Sequence, residues 1–152
     1  MENTEIKVLI FSINGENYAA NIMEVERILE YDAPTPLPDS PNFVEGVINY
    51  EGSILPVISL SQKFHFKKNV IGHGTKIIVS KQDNSKIGII VDKVSEVKNI
   101  NLTDVELPPE IAAGISKRYI QGLIKMKDAI IIFLNLRTIL TEEEKKLINW
   151  KV

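Results

Sequence analysis

The 152-residue chain contains no cysteine, which excludes a disulfide frame, a thiolate nucleophile and a cysteine zinc site. Histidine is nearly absent too. His65 and His73 stand eight apart in a lysine-bearing stretch with no nearby carboxylate, a spacing that matches no standard zinc motif, so they read as solvated loop residues. There is no glycine-rich phosphate loop and no serine elbow. Asp92 and Glu96 lie four apart, but the β-branched residues around them argue against the helix that would make them an acid/base pair. A net charge of −2 gives no reason to expect a phosphate-binding surface. No apolar run approaches the ~20 residues of a membrane helix, and the opening MENTEIK has acidic and amide residues where a signal peptide would be basic and then apolar. The expected compartment is the cytoplasm, and neither a cofactor nor a metal is expected.

What the chain does have is repetition. Gly46 to Leu60 (GVINYEGSILPVISL) and Gly122 to Leu136 (GLIKMKDAIIIFLNL) run in register, 76 positions apart. In each, a glycine opens a short strand, a two-residue turn follows (Glu51-Gly52, Lys127-Asp128), and an apolar strand returns, the pattern of a hairpin. The return strand is apolar on both faces. Ile54, Pro56, Ile58 and Leu60 point one way and Leu55 and Val57 the other; Ile130, Ile132, Leu134 and Leu136 match the first set, Ile131 and Phe133 the second. One face should fill a small barrel. The other must be covered by the second half of the chain or by another protein.

The rest of each half repeats as well. Val8 to Ile13, the Asn14-Gly15 turn and Tyr18 to Ile22 form an opening hairpin, echoed by Lys76 to Ser80, a turn at Gln82 to Ser85 and Ile87 to Val91. Ile22, Val25 and Ile28 recur at period three, as do Val91, Val94 and Val97; this is one helical turn or a bent strand, with β-branching favouring the strand in the second copy. APTPLPDSP (33–41) and NLTDVELPP (101–109) read as stiff crossovers rather than strands. Phe43 answers Tyr119 as an aromatic anchor, again 76 positions on. Ser61 to Thr75 reads as a short helical turn and a polar link. Thr141 and Glu144 form a capping box for a last helix, 141–150, on which Leu147, Ile148 and Trp150 would dock.

These features predict a mainly β protein made of two five-stranded barrels side by side, with short helices. The expected division places lobe one at roughly 6–68 and lobe two at roughly 75–140.

The segment 46–60, with Leu37-Pro38 and Pro41 before it and Gly88-Ile89-Ile90-Val91-Asp92, Val94, Val97 and Gly122 to Leu140 after it, resembles the CheW family of chemotaxis coupling proteins over nearly the whole chain. That resemblance implies a single CheW-like domain, 1–152, of two SH3-like barrels and no chemistry. It also implies an adaptor that bridges the cytoplasmic tip of methyl-accepting chemoreceptors to the regulatory domain of the histidine kinase CheA. Positions that affect receptor or kinase coupling in the family fall on Val25, Arg27, Gly46, Glu51, Gly88 and Val97, with Ile111 as a second-rank partner contact.

Two of these depart from the family in a linked way. Glutamate is usual where this chain has Arg27, and arginine where it has Glu51. The preferred reading is an ion pair across the first lobe that has reversed both signs; the alternative is that each meets a partner whose sign has also changed. Structural readings stand beside the functional ones. Gly46, Gly52 and Gly88 permit turns, bulges or close backbone approach, Val25 and Val97 belong to the core, and Asp92 caps a turn. Residues 108–111 form a rigid crossover, and Trp150 anchors the last helix. The second function class is a nucleic-acid-binding β-barrel, resting on the basic and aromatic run from Lys63 to Lys68.

Overall fold

The computed structural model describes residues 4–67, 69–107 and 119–148. Ile111, with the rest of 108–118, and Trp150 lie outside them. Among the described residues eleven strands run in chain order: β1 (Glu5–Ile13), β2 (Glu16–Asn21), β3 (Val25–Glu30), β4 (Val44–Tyr50), β5 (Ser53–Ser59), β6 (Lys76–Lys81), β7 (Lys86–Val91), β8 (Lys93–Asn101), β9 (Val105–Glu106), β10 (Ile120–Met126) and β11 (Ala129–Leu134). Helix α1 (Leu60–Lys63) follows β5, and helix α2 (Glu142–Ile148) lies beyond β11.

All four hairpins form, and in the first half the turn residues dictate how. Asn14 and Gly15 have φ of 53° and 82°, and Glu51 and Gly52 have 52° and 82°, the paired positive values of a tight turn whose twist matches the strands it joins. The period-three stretch at Ile22 resolves into a 3-10 turn, Ile22–Glu24, capped by the Asn21 side chain and leading into β3. The crossover 101–109 departs from expectation in one respect: its non-proline residues Val105 and Glu106 keep their backbone N–H groups and add β9 to the edge of β10. In the first half the corresponding contact is a single bridge, Thr35 to Val47.

The strands do not divide between residues 68 and 75. One sheet has the order β3-β6-β7-β5-β4 and the other β8-β1-β2-β11-β10-β9. Each sequence half therefore gives its opening hairpin to the other half's lobe: β1 and β2 pair with β8 and β11, and β6 and β7 pair with β3 and β5. The joins between an opening and a closing hairpin are parallel, β2 to β11 and β5 to β7. The division into 6–68 and 75–140 is thus replaced by a contiguous lobe, β3 to β7, and a lobe assembled from both ends of the chain.

This exchange explains the two-faced apolar strands. Leu55, Val57, Ile77, Val79 and Ile90 fill the contiguous lobe, and Val8, Ile10, Ala19, Ile131 and Phe133 fill the other. The opposite faces of the same strands, including Leu9, Phe11, Ile58, Ile78, Ile89 and Leu134, meet in a third core between the lobes. Strands buried on both sides need apolar residues at every position. Polar groups tie the seam as well: the Asp92 carboxylate accepts from the Asn14 N–H (2.7 Å) and the Asn69 amide (3.0 Å). Asp92 is thus used as a turn anchor.

Candidate protein-docking surface

β3 and β4 are opposite edges of their sheet, yet their side chains touch, so the sheet has rolled up. The Tyr50 hydroxyl donates to Glu26 at 2.6 Å, and the Arg27 guanidinium lies 2.9 Å from the Glu51 carboxylate, both side chains about half exposed. The two residues of reversed charge therefore pair within the chain. Lys86, from β7, donates to Glu26 at 3.0 Å, and the Tyr50 ring lies between Arg27 and Lys86 at 5.8 and 5.6 Å from its centre. Donation to Glu26, reinforced by burial, pushes the Tyr50 phenol up to about 12. The bond from Tyr50, followed by that from Lys86, holds the Glu26 carboxyl below its usual value. Two carboxylates thus face two cations around one ring. The patch is neutral in sum, so it projects little long-range field.

The remaining predicted residues do not gather around this patch. Val25 is half-buried at the bulge where β3 meets β6 and packs on the seam core. Val97 is 52% exposed on the edge strand β8. Gly88 is buried inside the contiguous lobe; a β-carbon there would lie 2.8 Å from Ile77 Cγ2 and 3.3 Å from Leu55 Cδ2. Gly46 has φ of 143°, and a β-carbon would sit within the van der Waals shell of the Thr35 carbonyl oxygen and 2.6 Å from its carbon. Both glycines are therefore required by the packing of the lobe itself. Ile111 lies outside the described residues.

Four surface positions escaped the sequence reading as site residues. Ile54 and Ile130 are 67% and 58% exposed at the start of the two return strands, 76 positions apart, and Ile28 is exposed at the position in β3 that Val97 takes in β8. Met23, on the turn before β3, is exposed as well. The repeat offsets were the signal: Ile54 with Ile130, and Ile28 with Val97, are exposed at the same place in both lobes.

Part of the basic and aromatic run is taken up by the fold, while His65, Phe66 and Lys67 stay exposed. Lys63 makes an ion pair with Glu144 at 2.7 Å, Phe64 packs against Tyr119 with ring centres 5.7 Å apart, and only Phe66 keeps substantial aromatic exposure. His65 and His73 are exposed. Among the described residues no group of three metal-capable side chains converges, and no helix is long and apolar enough to cross a membrane.

The profile of the CheW-like domain family matches residues 7–144. The chain is 28% identical to the chemotaxis protein CheW of Treponema pallidum, covering 98% of this chain and 91% of that protein. It is 31% identical to the CheW of Klebsiella aerogenes, covering 93% and 85%. Among solved structures it is similar to the scaffolding protein TtCheW of Thermoanaerobacter tengcongensis, with a TM-score of 0.81, 32% identity, and coverage of 90% of this chain and 88% of that one.

Proposed function

The chain belongs to the CheW-like domain family, and on that premise we propose that it is a non-catalytic adaptor coupling chemoreceptor cytoplasmic tips to the regulatory domain of a CheA-type histidine kinase. The observation that carries this reading is the distribution of apolar surface. Three cores are already filled within the chain, yet both lobes keep matching aliphatic residues in solvent, Ile28 with Val97 and Ile54 with Ile130. A lone exposed aliphatic is ordinary. The same ones repeated on two lobes give a scaffold two related faces, one for each partner.

In this reading the Arg27–Glu51 pair is an internal clasp at the mouth of the contiguous lobe, flanked by Ile28 and Ile54. Because the reversed charges satisfy each other, a partner meets a clasp of similar geometry and need not have reversed its own charges.

The test is binding of the intact chain to a receptor-tip fragment and to a CheA regulatory domain, separately and together. Each should bind, and the second should still bind when the first is saturating. Absence of binding to both, or retention on a polyanion column that falls steeply with salt, would replace the adaptor reading with another.

A further inference from the structure

Glu144 serves two elements at once. Its carboxylate accepts from the Thr141 N–H at 2.8 Å while the Thr141 hydroxyl accepts from the Glu144 N–H at 3.0 Å, completing the capping box. The same carboxylate places both oxygens 2.7 and 2.8 Å from the Lys63 ammonium on α1. The Lys63 side chain is only 5% exposed. Its ammonium stands 5.3 Å from the centre of the Phe43 ring and 4.9 Å from that of Tyr119, the two anchors that hold equivalent places in the repeat. One lysine therefore occupies the point where the repeats meet, and its counter-charge comes from a helix that belongs to neither sheet.

Among the described residues little else holds that helix. Ile148 is buried in the seam core, and Lys145 lies a long 3.9 Å from Asp83. Glu142, Glu143, Lys146 and Leu147 face solvent. A seven-residue helix is too short to persist without its docking site, so lifting off and unfolding are a single event. The helix also forms one wall of a groove of about 1110 Å³, whose opposite wall is the β4–β5 turn with Glu51 and Ile54.

We propose that α2 is a releasable strap, latched by the Lys63–Glu144 pair, whose undocking widens the groove beside the Arg27–Glu51 clasp while both sheets stay folded. Losing either partner of a shielded ion pair leaves the other charge without compensation, so the latch is the place where small changes decide the position of the helix. The low-stability end of a native ensemble is where such regulatory elements are found.

Amide hydrogen exchange on the full-length chain tests this without any partner, so its outcome is separate from that of the adaptor reading. Lys63→Met should raise exchange of the 144–148 amides, the first of which the capping box bonds, at least tenfold while those of β6 and β7 stay within about twofold of the unaltered protein. Glu144→Gln, which can still accept the capping bond but cannot pair with the ammonium, should give a smaller rise confined to the same amides. Unchanged exchange of 144–148 in Lys63→Met overturns the proposal. If Lys63→Met loses protection throughout, Glu144→Gln decides: a rise confined to α2 supports the strap, and equal loss in α2, β6 and β7 overturns it.

Discussion

Replacing Gly46 with alanine asks whether this residue acts through a contact or through the fold. The new methyl-bearing carbon would collide with backbone, the Thr35 carbonyl, and not with a side chain able to turn aside. The left-handed φ of 143° adds ~1 to 3 kcal/mol for a residue with a β-carbon. If the crossover retreats, the two bonds between Thr35 and Val47, at 2.8 and 3.0 Å, are lost at ~1 kcal/mol each. The sum is ~3 to 5 kcal/mol, a large part of the ~5 to 15 kcal/mol that holds a typical domain. Gly52→Ala is the control, because its φ of 82° is also positive but nothing lies within 4 Å; it should cost only ~1 to 2 kcal/mol. Urea denaturation followed by circular dichroism gives both values, read as a shift in midpoint at constant slope. Partner affinity measured beside it should fall only as far as the folded fraction falls. A Gly46→Ala protein within ~1 kcal/mol of the original would refute the steric reasoning, and one that is stable but fails to bind would make Gly46 a contact residue.

Four further outcomes are expected. Arg27→Glu should weaken receptor-tip binding and Arg27→Glu/Glu51→Arg should restore it, while a stability cycle on the half-exposed pair gives a coupling of only ~0 to 1 kcal/mol; no recovery of binding in the double variant removes the clasp. Gly88→Ala should cost ~1 to 3 kcal/mol in the same denaturation assay because Ile77 and Leu55 must shift to admit the methyl. Ile54→Asp and Ile130→Asp should leave the midpoint nearly unchanged, since both positions are exposed, but reduce binding in titrations with the kinase or receptor fragment; intact binding in both variants would mean that these tips are not the docking faces. Burial would raise the Glu144 carboxyl, but the Lys63 and Thr141 bonds outweigh it and hold the group below its usual value. Its contribution is therefore fully present above the ordinary carboxylate range and lost as pH falls through the lowered value, so Glu144→Gln should flatten the acid limb of a stability-versus-pH curve over that window.

The hairpins and their turns were legible because they depend on neighbours in the chain: Asn14-Gly15 and Glu51-Gly52 carry their conformations in two residues. The two-sided burial of the return strands was legible too, since Leu55 and Val57 are as apolar as Ile54 and Ile58. What covers the second face was left open between the other half and a partner, and the seam core answers mostly with the former. Exchange of the opening hairpins was not legible. Apolar strands such as Ile87 to Val91 carry no mark of which neighbour they join, and a parallel join like β5 to β7 leaves no turn to read. Among the site residues, the Arg27–Glu51 pairing could be reasoned from two linked sign reversals. The role of Lys63 could not, because a lysine next to Phe64-His65-Phe66 reads as a basic aromatic patch until Glu144 is seen to reach back 81 positions.

The interchange of opening hairpins also orders events during synthesis. Strands β3 to β7 are consecutive in the chain, so that lobe has all of its own strands as soon as β7 is made. The β1–β2 ribbon, made first, has its parallel neighbour in β11, near the end; at ~10 residues per second that wait is on the order of ten seconds. During it the face carrying Val8, Ile10 and Ala19 has no permanent cover, because Ile131 and Phe133 complete that core, and a chaperone that shields newly made chains would find its target there, at the oldest part of the polypeptide.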